Sequence, residues 1–472
     1  VFGLSKRITG LIGGPLLFAA IVLLLQGRFG FDGAAAIGVM FWMGYWWIAQ
    51  PVHIAVTAMI PVVINAIFDL TSASAIISQY SSEIVVLLFG ATLICLTWES
   101  TGLDRRLSLK LLCLIGSSLR QQLVVWLFMS ALMSAVLPNS VVATIFTPIA
   151  IAMFSFTNLG DIKDNPVASV ILLAIVWGTE IGGMASPLGG SMNLVVVNYI
   201  EEFTGEEFMY IDWVVRLCPV VLVMLLLNLV YLFAVKVPVK QLPGTRDYFK
   251  EKYQDLGKMG KGEKISLVIF LLAIVASFLR PLYASIAPSI KPAFAFLICG
   301  FATFFFRDER GKHIISWKQV ENKMMWGLLF LYAGGLALGR LIIDTGAADV
   351  IAELISSWNL SGELLTITIM VIFARLLAEV SSNTTAASIS VPIVLSITQG
   401  LGLNPIPYIF ITAAAFNSAY ILPLSVRAIP VGYGMEAKIL ARNGMAISIL
   451  SVVVISLIGY AFTRWWPYFG AL

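Results

Sequence analysis

Apolar runs long enough to cross a lipid bilayer recur along nearly the whole of this 472-residue chain, with only short polar stretches between them. A helix needs about 20 apolar residues to span the hydrocarbon core. Such runs lie near 9–26, 34–49, 52–70, 83–103, 168–198, 213–235, 264–280, 291–306, 324–356, 405–433 and 444–466. Apolar residues make up 59% of the sequence and charged residues 12%. So few polar side chains cannot clothe a water-soluble fold of this size. That excludes a cytosolic enzyme, a nucleic-acid binder and a disordered chain, and leaves an all-α polytopic membrane protein embedded in a lipid bilayer.

Cys95, Cys113, Cys218 and Cys299 form no CxxC pair, and His53 and His313 are the only histidines. Neither a zinc site nor a His-based catalytic cluster is expected. HExxH and GxSxG motifs are absent as well, so an intramembrane enzyme is not expected. Lys6 and Arg7 precede a first apolar run without a small-residue cleavage signal, which reads as a retained first span.

Two further apolar stretches, 121–155 and 361–398, are interrupted by polar residues. Counting them as re-entrant hairpins gives eleven crossings, and charge tests that count, because loops rich in Lys and Arg face the cytoplasm. Arg105, Arg106, Lys110 and Arg120, the run from Lys236 to Lys264, Arg307 to Lys323, and Lys438 with Arg442 then share the side of Lys6 and Arg7. The loop carrying Glu201, Glu202, Glu206, Glu207 and Asp212 falls on the other. The N-terminus is therefore expected in the cytoplasm, the C-terminus outside, and the protein in the plasma membrane. The first hairpin opens from the cytoplasm and the second from outside.

The two hairpins repeat one another. Residues 138–149, PNSVVATIFTPI, align with 382–393, SNTTAASISVPI, at a constant offset of 244 with five identities in twelve. Asn139 meets Asn383, and Ser140 meets Thr384. A second pair of breaks follows, IGGMASPLGGSMN at 181–193 and NSAYILPLSVRAI at 417–429, in which Pro187 meets Pro423. Gly182, Gly183, Gly190 and Asn417 interrupt these spans too. Broken backbone at membrane depth is tolerated only where it faces protein, water or a ligand. Four breaks in an inverted repeat point to one shared midplane site of a secondary transporter. A channel would instead need a continuous polar stripe.

The expected organisation is a first span within 1–33, one half-repeat over 34–236, a basic loop at 237–263 and the second half over 264–472. Asn, Ser and Thr offer neutral donors to a carboxylate, and helix N-termini add partial positive charge.

With Ser382-Asn383-Thr384, Asn139 and the IGGxxSPLGGSMN segment, the chain resembles the divalent anion:sodium symporter family, from about residue 30 onward. The resemblance implies dicarboxylate transport, in some members citrate transport, by a homodimer whose substrate domain moves as an elevator. It also implies a sodium cage beside each hairpin and no other cofactor. For the dicarboxylate cargo that the resemblance implies, Asn139 and Ser140 would hold one carboxylate, Asn383 and Thr384 the other. The chain departs from the family pattern at Pro138, at Gly190-Ser191-Met192-Asn193 and at Val426-Arg427-Ala428-Ile429, where polar cage residues are lost. Arg427 takes the position in the second half that Ser191 takes in the first, and its fork suits a carboxylate. The expectation is therefore sodium-independent exchange of succinate, malate, fumarate or 2-oxoglutarate, with Arg427 as a fixed cation. Sodium- or proton-coupled symport of di- or tricarboxylates is the alternative. Glu180 would carry a proton or neutralise Arg427. Arg375 with Glu379, and Arg340 with Asp344, have the spacing of local ion pairs.

Overall fold

The computed structural model describes residues 2–157, 162–163, 165–324, 326–347, 350 and 362–471. The expected ninth span, 324–356, the start of the second hairpin at 361, and both chain ends lie partly outside that set. Among the described residues the chain is helical, with two isolated β-bridges and no strand. Among the described residues seven helices are long and apolar enough to cross a membrane.

Helix α1, Phe2–Ala49, is two limbs meeting at Gly30. The φ of 66° there is a left-handed conformation that glycine adopts without a Cβ clash. The limbs correspond to the two spans expected at 9–26 and 34–49, and Trp46 Nε1 ties them by donating to Gly10 O at 3.1 Å. The expected span at 52–70 is instead divided into two short helices, Ile54–Thr57 and Ile60–Phe68, with Pro61 at the start of the second. After a further short helix at Ala73–Ser78 comes α2, Glu83–Thr101.

The first hairpin consists of α3, Leu119–Ser134, and α4, Asn139–Phe156. It packs on α5, Pro166–Gly183, in which every residue from Val167 to Gly183 is buried. A helix apolar all round belongs in the interior. Close approach is set by Gly178 and Gly182, where an added Cβ would strike the backbone of Leu127 and Ala131. After a break the chain restarts as α6, Ser191–Thr204, and then runs through α7, Tyr210–Ala234.

The basic segment does not hang free. Leu119 N donates to Lys240 O at 3.0 Å and Leu242 N to Ser117 O at 2.7 Å, which seats it on the base of the first hairpin. Arg106 anchors its far end. The guanidinium reaches Glu263 at 2.7 Å and the carbonyls of Gly257 and Leu256 at 2.8 and 3.1 Å. Truncating one partner of a buried pair strands the other charge. Arg106→Ala should therefore lower stability by about 3 kcal/mol, measured as thermal unfolding in detergent. A variant as stable as the parent would contradict this role.

The second half holds α8, Lys261–Phe278, α9, Pro292–Ala302, and α10, Trp326–Asp344. The Arg340–Asp344 pair expected from spacing forms, at 3.0 Å. The second hairpin is α11, Glu363–Val380, with α12, Asn383–Gly400. Its broken partner begins as α13, Pro405–Phe416, and α14, Ala437–Trp465, is followed by one last helical turn at Pro467–Gly470. Pro148 and Pro392 sit at equivalent places inside α4 and α12, as the repeat requires.

Among the described residues the buried apolar core forms two clusters. One gathers the hairpins, the broken helices, α7 and α14, together with parts of α2, α8 and α9. The other joins α1 and the residues after it to one face of α10, through Leu331, Leu338, Leu341 and Ile342. Exposed apolar residues such as Leu222, Leu226 and Val230 on α7, and Ile449, Val453 and Leu457 on α14, suit contact with lipid.

Candidate functional site

Both hairpins turn at the residues the repeat singles out. Helix α4 starts at Asn139 behind Pro138, and no side chain caps it. Helix α12 starts at Asn383 behind Ser382, whose hydroxyl accepts from Thr385 N at 3.1 Å. The tips meet at a cavity of about 570 Å³. Asn139, Ser140, Gly190, Ser191, Ser382, Asn383 and Thr384 all line it. Apolar side chains, among them Trp47, Phe270, Phe296 and Leu328, also line it. Three helix N-termini, those of α4, α6 and α12, therefore start at one cavity, an arrangement that favours an anion.

Behind the tips the two halves are built differently. In the first half the groups that secure the break are neutral. Ser134 Oγ donates to Asn139 Oδ1 at 2.8 Å. Asn193 Nδ2 donates to the carbonyls of Gly183 and Ser186 at 2.7 and 2.8 Å. The Ser186 hydroxyl accepts from Leu188 N and Gly189 N at 3.2 Å, satisfying the break around Pro187. Gly183 must be glycine, since a Cβ would strike the Asn139 amide. Gly182 and Gly183 thus serve packing behind the cavity and do not line it. Across the halves, Asn417 Nδ2 donates to Asn193 Oδ1 at 3.0 Å.

In the second half the equivalent break is held by charge. The Glu379 carboxylate accepts from Tyr420 N at 2.6 Å, Ile421 N at 2.9 Å and Leu422 N at 3.3 Å, just before Pro423. Arg427 is wholly buried. Its Nη1 donates to Glu379 Oε2 at 2.6 Å, its Nη2 to Ala378 O at 2.9 Å, and its Nε stands 3.9 Å from Glu180 Oε1. Arg427 does not line the cavity, whereas Leu424, Ser425 and Val426 do. Ser425 has a φ of 53°, a strained conformation for a residue with a side chain. The expected Arg375–Glu379 pair does not form. Three backbone donors freed by the break, plus Arg427, outcompete a neighbour one helical turn away. Arg375 instead donates to Ser448 Oγ at 2.9 Å and lies over the Tyr420 ring at 4.8 Å.

Glu180 lies between these systems. Fully buried on α5, it accepts from Asn383 Nδ2 at 2.6 Å, so the hairpin-tip amide is held by a carboxylate behind the cavity. The Asn139 side chain interacts with the same carboxylate.

Sequence reasoning passed over Ser134, the cradle role of Glu379, and Tyr332. Tyr332 on α10 bonds Thr384 Oγ1 at 3.1 Å. Ser134 carried a weak signal, five residues before Asn139 on the hairpin's other limb. Tyr332 carried none. Among the described residues no group of three or more His, Cys, Asp and Glu side chains is placed to hold a metal. Ser134 Oγ, Asn139 Oδ1 and the carbonyls of Gly183 and Ser186 are neutral oxygens of the kind a hard alkali cation takes, each engaged here in a hydrogen bond.

The citrate transporter family matches residues 45–415 and 292–468 of the chain. The sodium-dependent dicarboxylate transporter SdcS of Staphylococcus saprophyticus is 29% identical over 472 aligned residues, covering 96% of this chain and 91% of that protein. SdcS of Staphylococcus aureus is 28% identical over 475 residues, covering 97% and 91%. Among solved structures, the YdaH transporter of Alcanivorax borkumensis superposes with a TM-score of 0.57. It covers 84% of this chain and 89% of that one, and at 12% identity it speaks to the fold alone. A match across most of the length, on a chain with paired hairpins and broken helices around one cavity, shows that it belongs to the citrate transporter family, among the divalent anion:sodium symporters.

Proposed function

We propose that this chain is a secondary transporter that carries C4 and C5 dicarboxylates together with sodium across the plasma membrane. The observation that carries the reading is the meeting of the hairpin helices beginning at Asn139 and Asn383 at one cavity. That arrangement gives each end of a dicarboxylate its own amide, hydroxyl and helix N-terminus.

Arg427 favours coupling over exchange, contrary to the expectation from sequence. A guanidinium paired with Glu379 and facing Glu180 brings no net positive charge to the cavity. A dianion entering there still needs companion cations, and the neutral oxygens of the first half are suited to one. The relatives named as sodium-dependent transporters support the same choice. On this reading eleven crossings and two re-entrant hairpins form each protomer of a dimer, with the N-terminus in the cytoplasm and the C-terminus outside. The hairpins, broken helices, α7 and α14 move as an elevator past a frame that includes α1, α2 and α10.

Labelled succinate uptake into proteoliposomes tests this. Accumulation in empty vesicles under an inward sodium gradient is expected. Uptake confined to succinate-loaded vesicles and indifferent to sodium would overturn coupling. Ser134→Ala should raise the sodium concentration for half-maximal uptake about tenfold, the scale of one lost ligand. The succinate KM at saturating sodium should change little.

A further inference from the structure

The phenol of Tyr332 joins hydroxyls from both halves of the site. It is bonded to Thr384 Oγ1 at 3.1 Å, and the Ser191 side chain hydrogen-bonds the same phenol. Thr384 and Ser191 line the cavity, whereas Tyr332 is fully buried behind it.

The helix presenting Tyr332 faces two ways. Leu331, Leu338, Leu341 and Ile342 of α10 pack with α1 and the residues after it. Tyr332, Gly335 and Gly339 face α6 and α12 on another stripe, at spacings that put them on one side of a helix. A Cβ at Gly335 would lie 2.6 Å from Ser388 Oγ of α12, and one at Gly339 would run into the Tyr199 phenol of α6. Tyr199 Oη also donates to Gly335 O at 3.3 Å. Such a small-residue stripe permits close contact, and Tyr332 is the residue along it whose side chain bonds a cavity-lining hydroxyl.

We propose that Tyr332 is a positioning residue that acts as a catch. While the carrier is empty, its hydroxyl holds Thr384 and Ser191 and keeps the moving body against α10. A dicarboxylate that recruits those two hydroxyls breaks the hold, and the loaded body slides along Gly335 and Gly339. The inference rests on the elevator reading and adds the element that ties movement to occupancy.

The test compares the intact protein with Tyr332→Phe, which removes one oxygen and keeps the ring. Succinate uptake is measured into loaded vesicles (exchange) and into empty ones (net transport), under one sodium gradient. Net transport requires the empty carrier to return and exchange does not. Tyr332→Phe should lower the exchange-to-net ratio about fivefold, the factor that one ordinary hydrogen bond commands. A residue with a structural role alone would reduce both modes in proportion and leave the ratio unchanged.

A second readout needs no substrate. Cys95 lines the cavity, so its labelling by a water-soluble maleimide reports this arrangement of the two bodies, with Cys113, Cys218 and Cys299 replaced by Ser. Labelling should slow severalfold in Tyr332→Phe, and likewise in Thr384→Val, which removes the other end of the bond. An unchanged ratio together with unchanged labelling overturns the catch. If the intact protein moves no succinate, the transport reading fails, and Cys95 labelling alone decides: slowed labelling supports the catch and unchanged labelling overturns it.

Discussion

Arg427→Ala is expected to abolish succinate uptake and to destabilise the carrier by about 3–5 kcal/mol, the cost of stranding a buried charge. Its side chain is wholly buried, and its removal leaves Glu379 without a counter-ion while three backbone N–H groups still depend on that carboxylate. Glu180 loses its nearby positive charge in the same step. The effect should be non-additive. In Arg427→Met with Glu379→Gln both charges are gone, and the Gln carbonyl can still accept from the freed backbone. That double variant should recover most of the lost stability while transport stays impaired. Thermal unfolding in detergent, read alongside uptake, separates the two effects. An Arg427→Ala protein as stable as the parent would refute the cradle.

Asn383→Asp should be the most damaging change at the cavity itself, lowering kcat/KM for succinate at least a hundredfold. The amide that now donates to Glu180 at 2.6 Å would become a second carboxylate at the same distance. Like charges 4 Å apart repel by about 4 kcal/mol at an effective dielectric of 20. The new charge also faces the anion to be carried. Asn139→Asp also sets a carboxylate against Glu180, but it keeps the bond that Asn139 Oδ1 accepts from Ser134, a compensation Asn383 lacks. It should fold more stably than Asn383→Asp, although it too repels substrate. Equal thermal stability of the two variants would show that the Ser134 bond does not offset the repulsion at Asn139.

The hairpins and breaks were legible because lipid makes them so. A polar residue inside an apolar span has few permitted explanations, and the repeat at offset 244 reduced them to one. Asn139, Ser140, Ser191, Ser382, Asn383 and Thr384 reach the cavity for that reason. Partner choice was less legible. Spacing along α11 suggested Arg375 with Glu379, yet the stronger claim on Glu379 comes from residues 420–422 and 427, some forty to fifty positions away. Helical periodicity describes neighbours on one helix and is silent about a broken segment brought alongside. Tyr332 was invisible for a different reason. A tyrosine in an apolar helix has an ordinary role in packing, and only the meeting of α10 with α6 and α12 gives its hydroxyl two partners.

The unlike cradles of the two breaks bear on how such a chain can change over generations. Neutral groups, Ser186 and Asn193, secure the first break, so losing either one strands no buried charge. Glu379 and Arg427 secure the second as a couple, and losing either singly strands its buried counterpart. Descendants should therefore keep both or replace both. A duplicated gene whose halves began alike would, after acquiring that couple, find the route back to symmetry closed to any single mutation.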